Sequence, residues 1–188
     1  MKYTWEMFCE YCEDVSIYSK ARVENSIFIT DPPAEDWITE WVGGNKHSIL
    51  LHGNAGLGKT WCVFCLINRW INIAPRSPHS AKFVSCIDIQ DRVEQNFAAY
   101  RSTKGVSDVL LDYSLLAIDD LGCESSGDMM ERVLYRTINS RILRQLPTII
   151  STNLSPEEML NRYGARIYSR LKTYRWIEFV GEDLRSWR

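Results

Sequence analysis

Short apolar runs alternate with stretches of helical periodicity from residue 48 to residue 180. Five runs read as strands: 49–51 (ILL), 82–86 (KFVSC), 115–119 (LLAID), 148–151 (TIIS) and 176–180 (WIEFV). Between and after the first four, apolar residues return every third or fourth position. That spacing predicts helices over 61–73, 89–100, 107–113, 127–145, 156–162 and 165–172. Nearly continuous apolar strands separated by helices predict an α/β fold, a five-stranded parallel sheet with helices on both faces. Ligands then bind beyond the carboxyl ends of the strands. Ahead of this core (46–188), residues 1–45 read as an N-terminal helical extension. Trp5, Phe8 and Cys12 share helical spacing, and Asp31-Pro32-Pro33 breaks the chain before a helix over 34–42. Gly43-Gly44-Asn45 turns into the first core strand.

The first strand leads directly into Gly53-Asn54-Ala55-Gly56-Leu57-Gly58-Lys59-Thr60, which fits G-x-x-x-x-G-K-[ST] at every fixed position. Its glycines let successive backbone N–H groups turn inward around phosphate oxygens. The helix that opens at Gly58-Lys59-Thr60 points its positive end at the same phosphates. Lys59 is placed to reach the β- and γ-phosphates of ATP, and the Thr60 hydroxyl to hold Mg²⁺. A strand before the motif and a long apolar helix after it set it apart from a chance glycine-rich turn.

A phosphate loop needs a carboxylate at the same sheet edge. The third strand supplies Asp119 and Asp120 in LLAIDDLG (115–122). Asp119 is expected to share Mg²⁺ with Thr60, largely through water. Asp120 is the candidate general base for an attacking water, or else part of a turn. Asn153, just past the fourth strand, is either a side-chain amide aimed at the γ-phosphate or lytic water, or a cap for the helix that follows.

Composition adds limits. The 188 residues are 45% apolar and 24% charged, with a net charge of −2. No run of 18 apolar residues and no signal peptide is present, so the expected location is the cytoplasm, with no membrane partner. Charge is uneven: 11 basic against 19 acidic residues through Glu131, then 11 against 5 from Arg132 onward. The basic third, including Arg141, Arg144, Arg162, Lys172 and Arg175, is either a functional face or a set of solvated helix positions. Cys9/Cys12 and Cys62/Cys65 are both C-x-x-C pairs. They form either a zinc site or, for the pair on the loop helix, small buried apolar groups.

Taken together, GNAGLGKT, LLAIDDLG, INSRI (138–142), LPTIISTNLSPEEM (146–159) and RYGARIYSRL (162–171) resemble the AAA+ ATPases of the DnaC/DnaI helicase-loader and IstB group. The resemblance covers about 46–185. It implies an AAA+ P-loop NTPase without a C-terminal helical lid, that binds and hydrolyses ATP with Mg²⁺. It implies Asn153 as the sensor-1 residue. It also implies Arg166 as an arginine finger offered to a neighbouring subunit, with Arg170 the adjacent candidate. Glu124 and Arg185 fall at charged positions of the group. The implied partners are ATP/ADP, further copies of the chain, a replicative helicase or (in the IstB-like variant) a transposase, and single-stranded DNA. A nucleotide-gated adaptor that barely hydrolyses ATP is the alternative from the residues themselves, because Asp120 is shorter than the glutamate common in its role.

Overall fold

The computed structural model describes residues 5–9, 15–26, 28–44, 47–73 and 80–184. The helices are α1 (Trp5–Cys9), α2 (Ala34–Val42), α3 (Lys59–Ile73), α4 (Cys86–Tyr100), α5 (Lys104–Leu111), α6 (Asp128–Leu143) and α7 (Pro156–Leu171). The strands are β1 (Thr30–Asp31), β2 (Ile49–His52), β3 (Ala81–Ser85), β4 (Leu115–Leu121), β5 (Thr148–Thr152) and β6 (Arg175–Phe179). They form one sheet in the order β1-β6-β2-β5-β4-β3. The five expected strands are all parallel. The sixth, β1, is a two-residue antiparallel edge pairing Thr30 with Phe179. It comes from the leading segment, where the sequence suggested helix, and is too short to leave a periodic signal.

Side chains alternate across the sheet. Ile49, Leu51, Leu115, Ala117, Ile149 and Ile177 face one core, and Leu50, Leu116, Ile118 and Ile150 face the other. On the first face lies α3, apolar nearly all round, which a helix tolerates only when covered on every side. The leading segment provides that cover. Tyr18 stacks on Phe64 with ring centroids 4.0 Å apart, Asn68 donates to the Ala21 carbonyl at 2.9 Å, and Trp61 donates to Ser26 Oγ at 2.7 Å. Trp37 and Trp41 are buried in the same core, so they pack rather than present a surface. Cys62 and Cys65 are buried there too. Burial raises the Cys62 thiol well above its ordinary value and pushes Cys65 up to about 11, which keeps both protonated. Among the described residues no cluster of three metal-ligating side chains occurs, and Cys12 lies outside them.

Several boundaries move for identifiable reasons. Ser85 ends β3 and caps α4, accepting from the Asp88 N–H while Asp88 accepts from the Ser85 N–H, so the helix starts three residues early. The two C-terminal helices run on as α7, interrupted at Gly164, whose φ of 68° is not helical. Ser155, not Asn153, caps α7. Among the described residues no helix is long and apolar enough to cross a membrane.

Part of the basic third is spent inside the fold. Arg141 is fully buried. Its guanidinium donates to Thr148 Oγ1 and to the carbonyls of Leu110, Tyr113, Ser114 and Pro147, at 2.8–3.3 Å. That ties α6 to α5, to the entry of β4 and to the start of β5. Burial lowers its pKa to about 10, so it stays charged at neutral pH. Arg175 pairs with Glu40 of α2, and Arg162 with Glu124. The sequence reading of these arginines as solvated or DNA-facing is corrected for Arg141.

Replacing Arg141 with Leu removes five hydrogen bonds at once; the Pro147 carbonyl keeps the Leu116 N–H, and each acceptor left orphaned costs about 1–3 kcal/mol before relaxation. The expected loss is at least about 3 kcal/mol of unfolding free energy by urea titration. Lys at this position, with three donors, is expected to recover only part of it.

Candidate nucleotide site

The carboxyl ends of β2, β4 and β5 form one rim, and the site is built on it. Past His52, the chain turns at Gly53 with φ 136°. A Cβ there would sit 2.3 Å from the Phe179 carbonyl oxygen, so only glycine lets the loop leave the sheet this close to β6. Lys59 opens α3 and is 5% exposed. Its ammonium donates to the carbonyls of Gly53 (2.8 Å) and Asn54 (2.7 Å) and to Asn153 Oδ1 (2.8 Å). The loop lysine and the residue past β5, 94 positions apart, are thus in direct contact.

Beside them, Thr60 Oγ1 donates to Asp119 Oδ2 at 2.9 Å. Asp119 also accepts a short hydrogen bond from Ser151 on the neighbouring strand. Burial raises the Asp119 carboxyl above its ordinary value. The two hydroxyls and Lys59 oppose that, and Asp120 adds to it. A desolvated carboxylate and a threonine hydroxyl directed at each other are the donor set a hard divalent cation takes. These residues therefore fit Mg²⁺, which Thr60 and Asp119 together would hold.

Asp120 owes its place to a β-bulge. Ile118 pairs with Ile150, yet Leu121 pairs with Thr152, so β4 carries one extra residue. Asp120 takes it up with φ 53°, and its N–H donates to Ser151 Oγ at 3.0 Å. The bulge allows Asp119 to face α3 while Leu121 returns to the opposite core. The Asp120 carboxylate is left half-exposed at the rim. Asn54 and Ala55 are exposed and Leu57 is buried in the loop. A cleft of about 340 Å³ lined by His52, Asn54, Leu57, Asn153 and Phe179 opens beside it.

Arg166 is not part of this cluster. It is exposed on α7, with its guanidinium carbon 3.8 Å above the Tyr135 ring of α6. Arg170 donates to Asn139 Oδ1 at 3.1 Å and to the Tyr135 hydroxyl at 3.4 Å. Hydrogen bonding from Arg166, with Arg170 adding to it, lowers the Tyr135 phenol. Arg185 lies outside the described residues.

The sequence reading missed Ser151, which bridges both aspartates; nothing local distinguishes it from any strand-end serine. It missed the C-terminal segment as well. The Leu184 N–H donates to the Gly56 carbonyl at 3.1 Å, and a Cβ on Gly56 would meet the Asp183 carboxylate. That segment therefore lies directly on the phosphate loop.

No family model matches the chain. It is 23% identical to the replicative helicase loader DnaC of Escherichia coli K12 over 156 residues, covering 81% of this chain and 62% of that protein. It is 24% identical to the replicative helicase loader DnaI of Bacillus subtilis 168 over 121 residues, covering 64% of this chain and 37% of that protein. The crystal structure of the DnaC helicase loader superposes with a TM-score of 0.71 at 20% identity, covering 88% of this chain and 99% of that one. The chain is thus similar in sequence to the DnaC and DnaI helicase loaders and has the fold of the DnaC loader. A replication initiator DnaA bound to AMPPCP and single-stranded DNA shares the same fold, with a TM-score of 0.73 at 17% identity over 87% of this chain and 51% of that one. The chain spans less than two thirds of the length of either curated relative.

Because the folded pKa of Asp119 stands above its ordinary value, the site holds its full charge only well above that raised pKa. Magnesium-dependent nucleotide binding is expected to weaken as pH falls through it, earlier than for an ordinary aspartate. Asp119→Asn should abolish that pH dependence along with most of the magnesium requirement, read by nucleotide titrations at several pH values with and without Mg²⁺.

Proposed function

We propose that this domain binds ATP with Mg²⁺, hydrolyses it, and uses the cycle as a helicase loader in DNA replication. In this reading it engages a replicative helicase and single-stranded DNA. The observation that carries the proposal is the contact of Lys59 with Asn153, with Thr60 and Asp119 paired alongside at the same rim. The names of the DnaC and DnaI relatives support the loader role, and the AMPPCP and single-stranded DNA bound to the DnaA neighbour support the ligands.

Each side chain then has a task. Lys59 and the loop N–H groups neutralise the phosphates, and Thr60 and Asp119 hold the cation that screens the triphosphate. Asp120, half-exposed beside them, takes a proton from the attacking water. Asn153 orients that water or the terminal phosphate. Arg166 serves in trans on the ATP of a neighbouring copy, stabilising charge on the transferring phosphoryl group. A site completed by a second subunit makes self-assembly part of the activity.

Lys59→Ala is expected to keep the fold and lose nucleotide binding by about a hundredfold or more, measured by calorimetry. Hydrolysis in that variant at the unmodified rate would refute the phosphate-loop assignment. Arg166→Ala and Asp120→Asn should each bind ATP yet be inactive alone. Mixing the two restores turnover at hybrid interfaces where an intact finger meets an intact base; persistent silence of the mixture removes the trans finger. Absence of turnover above the Asp120→Asn level in the unmodified domain, with ATP bound, leaves the nucleotide-gated adaptor.

A further inference from the structure

Glu124 has no task in the scheme above, yet it is one of the most enclosed charged groups in the domain, with 4% of its surface exposed. Its carboxylate joins three elements. Oε2 accepts from the Gly122 N–H at 2.9 Å, in the turn that leaves β4. Oε1 accepts from the Tyr163 hydroxyl and, at 3.3 Å, from Arg162 on α7. The Cys86 thiol, at the start of α4, bonds it too. Burial pushes the Glu124 carboxyl up, but these donors outweigh it and hold the group below the usual range. Arg162 adds a second grip by donating to the Glu124 carbonyl.

The turn it holds is wedged from the other side. Gly122 has φ 108°, and a Cβ there would meet Leu154 Cδ1 at 2.7 Å. Leu154 follows Asn153, and its N–H donates to Thr152 Oγ1, which in turn donates to the Leu121 carbonyl at 2.6 Å. The turn after Asp119-Asp120 is thus fixed to Thr152 and Leu154, the residues flanking Asn153, on one side and to Arg162 and Tyr163 on the other. Beyond Tyr163 comes the break at Gly164, and then Arg166.

We infer that Glu124 is a positioning residue that clamps the turn after the aspartates to α7, so that a change at the nucleotide rim reaches the Arg166 surface. The inference rests on the ATPase reading and adds to it the route between the site and the subunit-facing helix. Gln at 124 keeps the size but not the contacts. With its amide nitrogen toward Gly122, two donors oppose each other; turned over, that nitrogen faces the Arg162 donor. Either way one arm of the clamp is lost.

The test compares the unmodified domain and Glu124→Gln by hydrogen exchange with and without a non-hydrolysable ATP analogue, alongside analogue affinity and turnover. In the unmodified domain the analogue should slow exchange at 53–60 and also alter it across 162–170. In the variant, analogue affinity should stay within about twofold and 53–60 should still be protected, while the response across 162–170 disappears. Its kcat should fall about tenfold with little change in KM, the signature of a loss felt only at the transition state. A variant with unmodified turnover and an intact 162–170 response overturns the inference. So does an unmodified domain in which the analogue protects 53–60 but leaves 162–170 unchanged. Absence of protection at 53–60 in the unmodified domain refutes nucleotide binding itself, and the clamp falls with it. Should Glu124→Gln not fold, Tyr163→Phe decides: it removes one donor and should show the same uncoupling in weaker form, and unmodified behaviour there overturns the inference.

Discussion

A buried ammonium ion must be surrounded by oxygen, and the way Lys59 meets that demand shapes the whole rim. Two of its acceptors are carbonyls of its own loop, which curls the loop tightly around the group. The third is the Asn153 side chain, which stands just past a different strand. The bond can form only if β5 lies beside β2 in the observed register, with His52 opposite Thr152. The sheet order therefore decides which residue the lysine meets. Triphosphate oxygens would compete for the same donors, so a ligand that draws Lys59 forward also changes what holds Asn153.

The end of β5 that carries Asn153 is also tied to β4. Thr152 is bonded to the Leu121 carbonyl, Ser151 reaches both aspartates, and Leu154 packs on Gly122. Any displacement of the end of β5 has to be accommodated in the turn after β4. The β-bulge at Asp120 is the one place where that strand has an extra residue to give. Placing the candidate base there puts it where small backbone shifts have the largest effect on its direction.

The parts of this arrangement legible in the sequence are those defined over a few residues. The phosphate loop spans eight positions, and each fixed one has a local reason. Asp119 and Asp120 follow a buried strand without interruption, and Asn153 stands immediately after another. What could not be read are contacts between distant positions. Ser151 meets Asp119 across 32 residues and Arg141 meets Leu110 across 31, and neither pair leaves a trace in periodicity or spacing. Arg141 was misjudged because charge on a helix ordinarily signals solvent; here four carbonyls, three from the end of α5 and the connection to β4 and one just before β5, supply what water would. The strand β1 escaped for a simpler reason, since two residues cannot establish alternation. The apolar excess of α3 was visible, but its explanation, a covering layer from the leading segment, became evident only in three dimensions.

Asp119 shows how burial and function pull against each other at this rim. Enclosure by α3, β4 and β5 favours its neutral form, and two hydroxyls and one ammonium offset that only in part. Its folded pKa lies above the unfolded value, so the ionised side chain subtracts from stability at neutral pH and the protonated one does not. The rim accordingly carries an electrostatic penalty that a fully hydrated surface aspartate would not. A divalent cation placed between Thr60 and Asp119 would offset it, by supplying at close range the countercharge that solvent does not. The poor solvation that costs stability at Asp119 is thus the same property that would strengthen a cation's hold there.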